Sequence, residues 1–143
     1  MKGIAVLLAG VALAGGATPT IWDVGEVSRP GQLTLYNRTA GGAMLGFPLA
    51  AGDMNGDGRD DLVLTPMNAD SGPERERASA GDVVIVFSDG QIAGERDLAL
   101  LDPLALPADV ALIYGATPHD YLGTEVAVAD VDGDGYGDAV LGA

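Results

Sequence analysis

Asp53-Met54-Asn55-Gly56-Asp57-Gly58-Arg59-Asp60-Asp61 recurs further along the chain as Asp130-Val131-Asp132-Gly133-Asp134-Gly135-Tyr136-Gly137-Asp138. Both stretches place oxygen-bearing side chains at loop positions 1, 3, 5 and 9 and glycine at positions 4 and 6. In the first these side chains are Asp53, Asn55, Asp57 and Asp61; in the second, Asp130, Asp132, Asp134 and Asp138. Hard oxygen donors packed this closely repel one another unless a cation sits between them. Ca²⁺ takes six to eight oxygens at roughly 2.3–2.6 Å, and glycine supplies the positive φ that wraps a short backbone around an ion. The expected ligands are those eight side chains, the backbone carbonyls of Arg59 and Tyr136 at position 7, and water. One Ca²⁺ per loop gives about two ions in all. Asp60, at position 8, is expected to point outward. Mg²⁺ suits the pattern less well, because it demands stricter octahedral geometry and keeps more of its water.

The spacing excludes the commoner helical calcium loop. An EF-hand needs a bidentate Glu at position 12 between two helices. Here position 12 is Leu64 or Leu141, and the flanking segments read as strands. A loop closed by Asp at position 9 fits a β-hairpin calcium site instead. The loops also lie inside a longer repeat: aligned without gaps, 45–66 and 122–143 agree at ten of 22 positions. An internal repeat ranks above any single motif. Each unit reads as a strand, an acidic loop, a second strand, and then a strand that starts with Gly.

Composition narrows the chemistry. The 143 residues suffice for one modest domain with a real core. The net charge is −14, and eight of the 21 acids lie in the two loops, so the acidity is largely that of the candidate metal sites. Without a basic patch to neutralise phosphate, nucleic acid is excluded as an expected partner. No run of apolar residues reaches the roughly 20 needed for a helical membrane span. Cysteine is absent, which removes disulfides, thiolate nucleophiles and Cys-based zinc sites. Abundant Gly and few aromatics suit short strands and tight turns.

Two readings of residues 1–17 stand side by side. Met1-Lys2, Gly3–Val11 and Ala12-Leu13-Ala14 resemble the three regions of a signal peptide. Alternatively, Ile4–Leu8 is a buried strand of a preceding repeat, with Met1 at loop position 7 of an earlier copy. Residues 18–42 then form part of a preceding blade-like unit, 43–115 the first full repeat, and 116–143 a second, truncated one. Gly31–Tyr36 alternates with period 2 and reads as a strand, and Gly81–Phe87 as a more fully buried one. The two look like the same element in successive repeats. Gln91–Pro107 is expected to supply an outer strand and cover, with one helical turn at Asp97–Leu101 as an alternative. Val110–Tyr114 is a further strand candidate. Met67–Ala80, with mixed charge, Pro and Gly, is expected to be a solvated and mobile loop.

These residues resemble FG-GAP repeats, the blades of integrin-α-type β-propellers. Leu45-Gly46 and Leu122-Gly123 stand where that family has Phe-Gly, and Leu64-Thr65-Pro66 and Leu141-Gly142-Ala143 stand near its Gly-Ala-Pro. The acidic loops match in full and the flanks match loosely. The resemblance implies an all-β fold of four-stranded propeller blades with calcium-binding β-hairpin loops between their first and second strands. It also implies an extracellular or cell-surface setting. Ligands, protein or carbohydrate, would bind on the face opposite the calcium loops, which here carries Thr65–Ala80, the stretch around Ala9–Pro30, and Ala116–Tyr121. A propeller typically has four to eight blades, whereas about two repeats are present here. The chain is then a segment of a longer protein, a protomer that self-associates through open sheet edges into a ring, or a small domain with exposed edges.

No catalytic constellation accompanies the loops. There is no nucleophile elbow, phosphate loop or His-Glu-x-x-His. His119 is the single histidine and sits beside Asp120 in a turn, the setting of a surface residue. Trp22 reads as core or cover rather than a sugar-stacking residue, and Asn37-Arg38-Thr39 is a formal glycosylation acceptor. The expected role is binding or adhesion with structural Ca²⁺, not catalysis. The alternatives are an accessory propeller of a secreted hydrolase or lyase, and a self-assembling structural protein.

Overall fold

A computed structural model describes residues 3–8, 32–37, 44–90 and 94–143. They form nine strands: β1 (Gly3–Leu8), β2 (Gln32–Asn37), β3 (Leu49–Gly52), β4 (Asp61–Leu64), β5 (Asp82–Val86), β6 (Gly94–Asp97), β7 (Val110–Tyr114), β8 (Val126–Ala129) and β9 (Asp138–Leu141). A single 3₁₀ turn, Leu98–Leu100, is the helical content among the described residues. The fold is all-β, as the sequence implies. All of residues 9–31, Trp22 and the Ala9–Pro30 stretch included, lie outside the described residues, as do Arg38 and Thr39 of the glycosylation triplet.

The strands make three sheets, in the orders β1-β2-β6, β3-β4-β5-β7 and β8-β9. The four-stranded sheet is antiparallel throughout, with Leu49 opposite Leu64, Val63 opposite Ile85, and Val84 opposite Leu112. Its residues sort by parity, because successive side chains on a strand point to opposite faces. Leu64, Val84, Val86 and Val110 turn to one face and form a core with Leu35 of β2, Leu45 and Leu98. Val63, Val83 and Ile85 turn to the other and pack with Val126, Val128 and Leu141 of the β8–β9 hairpin. The sheet is thus the middle layer of three, which accounts for the uninterrupted apolar run of Val83-Val84-Ile85-Val86. A strand covered on one face only would alternate.

The long connection after β5 supplies the expected cover, through Leu98, Leu101 and Leu106, and the expected helical turn at Leu98–Leu100, but not the expected outer strand. Gly94–Asp97 does not become the outer strand of the four-stranded sheet; it pairs parallel to β2, with Leu33 opposite Gly94 and Tyr36 opposite Asp97. The outer position goes to β7. Composition explains the choice. Strand β7 can supply Val110 and Leu112 to one core and Ala111 and Ile113 to the other. Gly94-Glu95-Arg96-Asp97 has nothing apolar to bury. Its contribution is the anchor that follows it, Leu98, which is buried in the first core. Consequently β2 and β5, read as equivalent, share an antiparallel neighbour on one side and differ on the other.

Residues 67–80 are solvated as expected at positions 70, 73–76 and 78, but the loop is tied down at several points. Ser71 and Arg77 form an antiparallel bridge, and Ser71 is fully buried. Arg75 Nη1 reaches Asp82 Oδ2 at 2.7 Å, and Arg77 Nη1 donates to the carbonyl of Gly115 at 2.7 Å. The charges that suggested solvent serve as internal ties. The loop is also laced to the β7–β8 connection, since the amides of His119 and Leu122 donate to the carbonyls of Ala78 and Ala80. Gly81 sits in this junction with a positive φ of 81°, and a Cβ there would strike the backbone of Leu122. That close approach explains the glycine at the head of the strand.

Candidate metal centre

Antiparallel hairpins place alternate connections at opposite ends of a sheet. The β3–β4 acidic loop therefore shares one end with the β5–β7 connection, and the β8–β9 loop lies beside it because β8 packs next to β3. The stretches 65–81 and 115–125 occupy the other end and meet there, as the resemblance implies for Thr65–Ala80 and Ala116–Tyr121.

The two loops fold alike, bond for bond. At position 1, Asp53 Oδ1 accepts from the amides of Gly56 (2.7 Å) and Asp57 (3.1 Å), and Oδ2 from that of Gly58 (2.8 Å). Asp130 Oδ1 accepts from Gly133 (2.7 Å) and Asp134 (3.1 Å), and Oδ2 from Gly135 (3.0 Å). At position 3, Asn55 and Asp132 each accept from the amide two residues on, at 3.0 and 3.1 Å. At position 5, Asp57 and Asp134 accept from Arg59 and Tyr136, both at 2.9 Å. At position 9, Asp61 and Asp138 reach back to the amides of Met54 (3.0 Å) and Val131 (2.9 Å). The glycines at positions 4 and 6 all have positive φ, from 76° to 91°. Asx side chains bonding their own following amides fold each loop into a tight turn, and in the second loop the turn gathers three carboxylates.

Those amides also set the electrostatics. The backbone N–H of Gly58 lowers the Asp53 carboxyl from its ordinary value against the opposing effect of burial, with the amides of Gly56, Asp57 and Asn55 adding to the lowering. Asp53 is therefore an anion at neutral pH. In the second loop, carboxylate oxygens of Asp130, Asp132 and Asp138 all lie within 4.8 Å of one another. Ligands on opposite sides of a Ca²⁺ at 2.3–2.6 Å are about 4.6–5.2 Å apart, so these three oxygens fit on one coordination sphere. Asp134, expected as the fourth side-chain ligand, is not part of that cluster. A carboxylate has about four lone-pair sites, so the internal hydrogen bonds leave capacity for a cation on each residue.

The loops differ in three respects that their sequences did not disclose. First, Asp61 is fully buried and both its oxygens are engaged, Oδ1 accepting from the amide of Ser88 at 2.8 Å. It ties the loop to the end of β5. Second, Arg59 Nη1 lies 3.1 Å from Asp57 Oδ2, so an internal cation already contacts position 5; the second loop has Tyr136 there instead. Third, position 8 is the exposed Asp60 in the first loop, as expected, but Gly137 in the second, where the amide donates to the carbonyl of Asp53 at 2.7 Å. His119 is exposed with a positive φ of 66°, its ring 6.3 Å from that of Tyr121.

Strand, acidic loop, strand and Gly-headed strand define a repeat unit of the kind the sequence suggested. Residues 49–86 match the family model described as the FG-GAP repeat, from the start of β3 to the end of β5, so the chain carries an FG-GAP repeat. A comparison of the whole chain with curated proteins gives no match.

Proposed function

We propose that this chain is a segment of an integrin-like β-propeller in which each acidic loop binds one structural Ca²⁺. The four-stranded sheet β3-β4-β5-β7 would be one blade and the β8–β9 hairpin the inner half of the next. The observation that carries the calcium reading is the duplicated loop geometry, with Asp130, Asp132 and Asp138 gathered within one coordination sphere. In the first loop Asp53, Asn55, Asp57 and Asp61 would hold the ion with the Arg59 carbonyl; in the second Asp130, Asp132, Asp134 and Asp138 with that of Tyr136. The ion would join the two strands of each hairpin, and its binding free energy would add to that of folding.

The biochemical role we assign is binding or adhesion outside the cell, at the end formed by residues 65–81 and 115–125, and not catalysis. FG-GAP repeats occur in extracellular and cell-surface proteins, where free Ca²⁺ is plentiful enough for weak loop sites. No helix among the described residues is long and apolar enough to cross a membrane. The test is thermal unfolding of the full chain in excess Ca²⁺ and in EDTA. Chelation is expected to lower Tm by many degrees, and coincident melts would end the calcium reading.

A further inference from the structure

Gly137 stands between two residues that the calcium reading assigns to the second ion, Tyr136 and Asp138. Its amide donates to the carbonyl of Asp53, the first residue of the other loop, at 2.7 Å. Tyr136 reaches across as well: a Cβ on Gly56 would lie 2.5 Å from Cε1 of its ring. Gly56 is not a bystander, because its amide is one of those that orient the Asp53 carboxylate. Beneath the loops, a Cβ on Gly52, the residue before Asp53, would lie 2.6 Å from Cγ1 of Val128. Three contacts from the second hairpin thus converge on the peptide that sets position 1 of the first. The fit leaves no room for a side chain at 137, where a Cβ would lie 2.8 Å from Val128 Cγ1 and 2.9 Å from the Asp53 carbonyl oxygen.

We infer that the two loops bind Ca²⁺ cooperatively, coupled through the Gly137 amide and the Tyr136 ring. The inference rests on the calcium reading of both loops. Fixing Tyr136 and Asp138 on an ion fixes Gly137 between them, and with it the Asp53 peptide. The first loop then has less freedom to lose when it binds in turn, which is positive coupling without any change of shape. Electrostatics opposes this, because an ion in the second loop cancels two of the four negative charges that its aspartates present to the first. Both loops are largely exposed, so salt screens that opposing effect. Linkage requires the effect to be mutual: each site must strengthen the other by the same factor. Tyr136 is a positioning residue here, since its carbonyl is kept when its ring is removed.

The test is calorimetric titration of the full chain with Ca²⁺ at fixed ionic strength. The wild type should bind two equivalents with a Hill coefficient between 1 and 2. Tyr136→Ala should still bind two, with the coefficient falling to 1. Gly137→Ala, which keeps every ligand, should do the same and stands in if the first variant loses its far-UV circular dichroism. Asp134→Ala should leave a single site about 5-fold or more weaker than that site in the wild type when its neighbour is filled, and Asp57→Ala should show the same factor for the other loop. Two independent wild-type sites, or a coefficient unmoved in a folded Tyr136→Ala or Gly137→Ala, would overturn the coupling and leave the calcium reading intact. No Ca²⁺ bound by the wild type would overturn both.

Discussion

Replacing Asp61 by Ala separates the structural role of an acidic-loop residue from its role toward an ion. Asp61 is fully buried, and its two oxygens accept from the amides of Met54 (3.0 Å) and Ser88 (2.8 Å). Truncation leaves both amides without an acceptor, at about 1–3 kcal/mol each. Removing a buried carboxylate recovers part of its own desolvation, so the net cost should be about 2–4 kcal/mol. Asp61→Asn keeps one acceptor and should cost about half as much. Asp138, its counterpart, accepts from Val131 in an exposed setting, and among the described residues nothing parallels the Ser88 bond. Asp138→Ala should therefore cost about 1 kcal/mol or less. The assay is urea unfolding followed by circular dichroism at pH 7 in EDTA, so that no ion contributes, with m-values compared to confirm an unchanged unfolded state. Equal costs for Asp61→Ala and Asp138→Ala, or an Asp61→Ala cost below about 1 kcal/mol, would refute the view that Asp61 braces the loop against β5.

Gly81→Ala should destabilise by about 2 kcal/mol or more, because it combines a strained positive φ with a collision against the Leu122 backbone; chemical denaturation would measure it, and a neutral result would mean the junction yields freely. Burial raises the Asp82 carboxyl above its ordinary 3.8, against the opposing influence of the Ser71 hydroxyl, Arg75 and Arg77. A raised folded-state value means that the contribution of protonated Asp82 is full below its unfolded value and is lost as pH rises through the folded one. The stability of the wild type relative to Asp82→Asn should accordingly improve as pH falls from 7 towards 4, and a constant difference across urea melts in that range would contradict it. Arg59→Met should tighten Ca²⁺ at the first loop, by up to about 5-fold, since an exposed ion pair such as Arg59–Asp57 contributes at most about 1 kcal/mol. Titration of that variant beside Asp57→Ala would show whether the guanidinium competes for Asp57 at all.

Local chemistry made much of this fold legible before its geometry was known. The Asx and Gly positions of each loop dictate their own turn, so the folding of 53–61 and 130–138 followed from spacing alone. The apolar run at 83–86 announced a strand buried on both faces, which the two cores confirm. What escaped was set by contacts distant in sequence. The parallel pairing of Gly94–Asp97 with β2 carries no periodic signal and depends on Leu98 finding the core beyond it. Residues 70–80 carry alternating charges that read as solvated, yet Arg75 and Arg77 find partners in β5 and in the β7–β8 connection. Likewise the second loop has Gly137 where the first has Asp60, a difference that means nothing until the loops are seen to touch. The one hint available was that a loop needing only positions 4 and 6 as glycine spent a third at position 8.

On the proposed function, the two acidic loops are ion sites. Equilibrium dialysis with elemental analysis counts the bound Ca²⁺, on the full chain and on a variant carrying Asp57→Ala and Asp134→Ala together. About two equivalents are expected for the wild type and none for the double variant. Fewer than one equivalent in a folded wild type, or undiminished binding in a folded double variant, would contradict the account.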